Sequence, residues 1–220
     1  MAAEGGDPAV VRALLESGAD PGLGSADGTT PLMAAAAAGH VVVLRALLEA
    51  GSPVDTANGG GWTALHWSCH TGQLGASAAL LVAGTDADAA HPGGVAPLMS
   101  CAGRGDAAGA QLLLDFGADP RRLDGRGGTA LHYASAHGHQ ACAELLLAAG
   151  ADLAEEVEAG LALDPVDFPL PLPDTDVDRS PLADAIGGAM TPEGGARRTI
   201  AEEAERAGVD KGLLALCVLI

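Results

Sequence analysis

Aromatic residues are almost missing from this chain. It holds two Trp, two Phe and one Tyr, 2% of 220 residues. Because 48% of the chain is nonetheless hydrophobic, any core must be assembled from Ala, Leu and Val, and side chains that small suit closely approaching helices better than a pair of facing sheets. Positive charge is also scarce: the formal net charge is −18, and Lys211 is the sole lysine. Phosphate backbones are bound by clustered Lys and Arg, so nucleic acid is excluded as the expected partner. A protein partner with a basic surface, or simple solubility, fits this balance. No apolar run approaches the roughly 20 residues of a membrane-spanning helix. Met1 to Asp7 carry neither the basic nor the apolar part of a signal peptide, so the expected location is cytoplasmic or nuclear. Cys69, Cys101, Cys142 and Cys217 form no close-spaced pairs and are read as reduced thiols.

A repeat of 33 residues is what the chain has in abundance. Thr30-Pro31-Leu32-Met33 returns as Thr63-Ala64-Leu65-His66, Ala96-Pro97-Leu98-Met99 and Thr129-Ala130-Leu131-His132. Three glycine ladders keep the same step: Gly18, Gly51, Gly84, Gly117 and Gly150; Gly28, Gly61, Gly94 and Gly127; Gly39, Gly72, Gly105 and Gly138. Leu-Leu pairs at 14–15, 47–48, 80–81, 113–114 and 146–147 hold the phase. Thr30, Thr63 and Thr129 stand where a hydroxyl caps a helix, and Pro31 and Pro97 suit the first helical position. Gly39 is placed to end that short helix in a left-handed turn. Val43, Leu44, Leu47 and Leu48 form the stripe of a second helix, ended by Gly51. The stretch 52–60, rich in Gly, Pro, Asp and Asn, reads as a loop.

The pattern Gly-x-Thr-Pro-Leu-His, Gly-His and Leu-Leu-x-x-Gly-Ala-Asp resembles the ankyrin repeat over roughly residues 1–153. The resemblance implies an all-α solenoid of helix-turn-helix units with β-turn fingers along one edge. It also implies binding to another protein through the fingers and the concave face of the inner helices, and no catalysis. In register, Ala2-Ala3 correspond to Ala35-Ala36, so the chain is expected to begin inside an inner helix. It is then either a piece of a longer protein or one with a worn-down first repeat. Beyond 153 the phase breaks. Residues 154–179 read as an acidic, Pro-rich arm, either a solvated connector or a strap. Residues 180–211 read as a degenerate fifth, capping repeat, and 212–220 as an apolar tail. Cys217-Val218-Leu219-Ile220 has the form of a prenylation box, without polybasic support, beside the plainer reading of a greasy helix end.

His66, Cys69 and His70 at i, i+3 and i+4 have the spacing of half a metal site. A closed zinc site needs four ligands and no partner pair is evident, so packing is the preferred reading. His132, His139 and Cys142 fall at repeat positions and are read the same way. No phosphate cradle, nucleophile elbow or acid/base pair is present, and no cofactor is implied. The expected contact residues are those that vary between repeats. On the inner helices these are Trp67 and Tyr133, then His70, Arg104 and His137 toward the helix ends. The fingers add Trp62 and the cluster Arg121, Arg122 and Arg126. Trp, Tyr and Arg are common interface anchors. Packing is the alternative for the three aromatics, and pairing with the acidic arm is the alternative for the arginines. The function expected is that of an interaction module or adaptor, monomeric outside a complex. The alternatives are a subunit held permanently in an assembly, or a regulatory segment of a longer protein.

Overall fold

The computed structural model describes residues 2–151. The arm, the fifth repeat, the tail and Cys217 lie outside them. Nine helices occur among the described residues: α1 (Pro8–Glu16), α2 (Pro31–Ala38), α3 (Val41–Glu49), α4 (Ala64–Thr71), α5 (Leu74–Val82), α6 (Pro97–Arg104), α7 (Ala107–Asp115), α8 (Ala130–Ala136) and α9 (Gln140–Ala148). No strand is found in this region, and none of these helices is long and apolar enough to cross a membrane. The fold is the all-α repeat stack that the sequence implied.

Helices of this length are marginal alone, so their ends must be well tied. Thr63 Oγ1 accepts the N–H of His66 at 3.4 Å, and His66 Nδ1 accepts the N–H of Thr63 at 3.3 Å. Thr129 and His132 repeat this reciprocal cap. At the other end Gly39, Gly72 and Gly105 take φ of 73° to 74°, a left-handed geometry that a Cβ disfavours.

Successive inner helices α2, α4, α6 and α8 pack side by side, and the outer helices α1, α3, α5, α7 and α9 form a second layer behind them. The seam between layers is filled by one position per helix: Leu32, Leu65, Leu98 and Leu131 from within, Leu47, Leu80, Leu113 and Leu146 from without, all buried. A second lock joins repeat to repeat. The His40 ring lies over Gly6 and that of His139 over Gly105, and each donates from Nε2 to a backbone carbonyl of the preceding repeat, Glu4 or Gly103.

One expectation changes. Residues 2–6 form turns rather than the end of an inner helix; with so few residues, one i→i−4 bond cannot offset the cost of nucleation. Gly109 stands in the first turn of α7. Its N–H is capped by Asp106 at 2.9 Å, and a Cβ there would stand 2.5 Å from Asp106 Oδ2 and 3.0 Å from Cys101 Sγ. The missing Thr cap of α6 is as expected: Ala96 supplies no side-chain bond.

Candidate functional site

Each finger is a tight turn, and in fingers 2 to 4 the side chain at the first position closes it. These positions, Ser25, Asn58, His91 and Asp124, stand 33 residues apart. In finger 2, Asn58 Oδ1 accepts from Gly60 N at 3.1 Å and Trp62 N at 2.9 Å. In finger 4, Asp124 Oδ1 accepts from Arg126 N at 2.8 Å and Gly128 N at 2.7 Å. Finger 1 is closed by Asp27, whose carboxyl is lowered to about 2 by the Ser25 hydroxyl, then by the hydroxyl and N–H of Thr29. Finger 3 departs from the pattern. His91 Nδ1 accepts one N–H, that of Gly93 at 2.8 Å.

Around fingers 2 and 3 lies a cluster of rings. Trp62 stacks on His91, with centroids 5.5 Å apart and planes 26° from parallel. It meets His66, His70 and Trp67 at 5.7, 5.5 and 5.7 Å. Burial, and after it the neighbouring His91, lower His66 to about 4, and the backbone of Val95 and of Ala89, which favours the protonated form, offsets only part of this. His70 is lowered by burial and then by Arg104. His91 is lowered by burial against an opposing pull from Asp124. Three donor or acceptor atoms of the cluster, Trp67 Nε1, His70 Nδ1 and His91 Nε2, are buried without a partner among the described residues, as is Ser100 Oγ.

The expected contact residues therefore divide. Trp62, Trp67 and Tyr133 are only 5%, 9% and 3% exposed, which is the packing alternative, because their rings fill space between inner helices and fingers. Tyr133 donates its hydroxyl to Asp124 Oδ2 at 2.9 Å, and its pKa is raised by burial and then by that carboxylate. Arg121 lies on the surface, but its Nε donates to Gly150 O at 2.7 Å and ties the end of α9. His70 is half-buried, while Arg104, Arg122, Arg126 and His137 are exposed. His66 cannot serve as a ready metal ligand, since its Nδ1 is held by Thr63 and its Nε2 donates to Val95 O at 3.2 Å. Cys69, Cys101 and Cys142 are buried free thiols. The Cys101 thiol is raised well above its ordinary range by its contact with Cys69, then by burial. Such thiols are poor nucleophiles.

Helix pairs in two layers, caps of the Thr-x-x-His type, a left-handed glycine after each inner helix and a finger in every repeat are one architecture repeated. A family model for ankyrin repeats (3 copies) matches residues 1–90 and again residues 75–156. The chain belongs to the ankyrin repeat family. Ankyrin repeats are generally protein–protein interaction modules and typically non-enzymatic. No curated protein matches the chain. Among the residues of this ankyrin site, sequence reasoning passed over His91 and Asp124. Their signal was present as the 33-residue step from Asn58, but it was concealed because four different residue types share the position.

Proposed function

We propose that the chain binds a partner protein through the fingers and the inner-helix ends of its second to fourth repeats, with Arg104, Arg122, Arg126, His137 and the half-buried His70 as the contact residues. Trp62, Trp67 and Tyr133 hold that surface rigid from beneath, and Arg121 fixes its distal end. The observation that carries the reading is the distribution of cations. Of the six Arg among residues 2–151, four lie between 104 and 126, on the finger loop and inner-helix end of adjacent repeats. In a chain of net charge −18, that local concentration points to use. The acidic remainder favours a partner with a basic surface elsewhere on its contact face, in the cytoplasm or nucleus.

The test is capture of partners from cell extract by the full chain and by the variant Arg104→Ala/Arg122→Ala/Arg126→Ala, with circular dichroism of both. The expected result is an unchanged helical spectrum and loss of specific partners. Retention of every partner by a folded variant removes this face from the site.

A second reading, a subunit held within an assembly, is favoured by one observation. Val10 and Leu14 are 47% and 46% exposed, whereas Val43, Leu47, Leu80, Leu113 and Leu146 at the corresponding positions are buried. That end face of the stack is apolar and open, and a neighbour would cover it.

A further inference from the structure

We propose that finger 3 is a proton-operated gate in the binding edge: neutral His91 holds the finger against finger 2, and protonation of His91 releases it. The consequence for partner binding rests on the function proposed above; the opening of the finger does not.

The geometry has three parts. First, finger 3 is the least secured of its neighbours. Asn58 and Asp124 each accept two backbone N–H bonds, whereas His91 accepts one, and the bond from His91 N to Val95 O is 3.4 Å where its counterparts in fingers 2 and 4 are 3.0 and 2.9 Å. Second, the ladder of bonds between fingers is broken at this point. Gly59 N donates to Asp27 O at 2.7 Å, joining finger 2 to finger 1, and Gly125 N donates to Gly93 O at 2.8 Å, joining finger 4 to finger 3. The residue at the matching place in finger 3 is Pro92, which has no N–H to give. With no backbone bond between fingers 2 and 3, the joint rests on the packing of Pro92 against Gly61 and the stack of His91 on Trp62, while the His66 ring of α4 holds the far end of finger 3 at the Val95 carbonyl. Third, the bond that closes finger 3 needs a lone pair. His91 Nδ1 accepts the Gly93 N–H, so the ring proton sits on Nε2, where no partner meets it. A proton taken from solvent has only Nδ1 to occupy. Its arrival turns the acceptor into a donor, breaks the bond to Gly93 and leaves an imidazolium with two unmet N–H groups in a partly buried place.

The groups facing His91 do not restore what is lost. From α4 come Trp62, just ahead of the helix, His66 with its ring 6.2 Å away, and His70 on the other side of Trp62. Arg104 of α6 adds positive charge beside His70. From finger 4, Asp124 attracts a cation, yet its oxygens already accept from Arg126 N, Gly128 N and the Tyr133 hydroxyl. The Trp62 face offers an imidazolium some attraction but no acceptor. Burial prevails, so His91 takes its proton below the ordinary imidazole range. The stabilisation it gives is present at neutral pH and is lost as pH falls through its folded value. Asn58 and Asp124 close the flanking fingers without an imidazole, so the response is confined to finger 3.

The experiment is amide hydrogen exchange on the full chain at about pH 7.5 and about pH 4.5, corrected for the intrinsic pH dependence of exchange; the lower value reaches below the ordinary imidazole range, where His91 takes its proton. Gly93 and Gly94 are expected to lose protection several-fold at the lower pH relative to Gly60 and Gly61. His91→Asn, which places the residue of finger 2 in finger 3, is expected to abolish the difference; His91→Asp serves if that variant does not fold. Equal protection at both pH values, a gain on acidification from the Trp62 face, or the same loss in His91→Asn overturns the gate. Capture of partners at the two pH values is read separately. A finger that opens while capture is unchanged upholds the gate and removes finger 3 from the proposed contact face.

Discussion

His66 shows how one residue of the repeat binds two pieces of structure. Its Nδ1 receives the Thr63 N–H and its Nε2 donates to the Val95 carbonyl, so one neutral ring caps α4 and reaches into the next finger. The ring is fully buried, and its pKa falls to about 4 from an unfolded value near 6.5. The folded value is depressed, so the stabilisation exists above the unfolded value and is lost as pH falls toward the folded one. A shift of this size corresponds to about 3 kcal/mol. Denaturant unfolding of the wild type and of His66→Gln at neutral pH and near pH 4 checks it. The stability gap between the two proteins is expected to narrow by that order as pH falls. A gap that stays constant would show that the ring does not titrate with unfolding.

At the scale of elements, the third helix pair is the weak one. Ala96 gives α6 no side-chain cap where Thr30, Thr63 and Thr129 cap theirs. Ala96→Thr is expected to raise the unfolding free energy by about 1 kcal/mol, measured by denaturant titration. Helix propensity alone would predict a similar gain from Gly109→Ala. The structure reverses that sign, because a Cβ would crowd the Asp106 carboxylate that caps α7 and the Cys101 thiol beneath it. In stacked repeats, stability is close to a sum over units and their interfaces. Amides of residues 94–116 are therefore expected to exchange faster than those of 129–149, and Ala96→Thr is expected to slow them. Uniform exchange along the stack would count against an additive array.

At the scale of the whole molecule, the described repeats bury one continuous seam, and at its N-terminal face the seam is open. Val10 and Leu14 are about half exposed there, while full burial of such side chains is worth about 1.5–3 kcal/mol each. A fusion that supplies one Thr-Pro-Leu inner helix ahead of residue 1 is expected to add about 2 kcal/mol in all and to raise the melting temperature. No rise in calorimetry would mean that the face is already satisfied by the turns at residues 2–6. The apolar end lies on α1, whereas the four clustered arginines lie between residues 104 and 126.

The sequence by itself determined the repeat length and the helix starts and stops, because each rests on local chemistry: a Thr hydroxyl within reach of the N–H three residues on, a glycine where φ must be positive, and leucines at helical spacing; the stack of helix pairs was what the ankyrin resemblance implied. Ladders of identical residues made these positions legible. The role of an individual side chain that departs from its ladder was not legible in the same way. Whether Trp62, Trp67 and Tyr133 meet a partner or the core depends on what the neighbouring finger places over them, and that is set by a residue 9 to 29 positions away, Asp124 for Tyr133 and His91 for Trp62. Arg121 looked like part of a surface cluster until the carbonyl of Gly150 came within hydrogen-bond reach of it. His91 matters because Pro92 beside it removes a bond between fingers, and only packing of repeat against repeat brings its ring onto Trp62. Burial and pairing across repeats are properties of the stacked chain, so tertiary structure decided them.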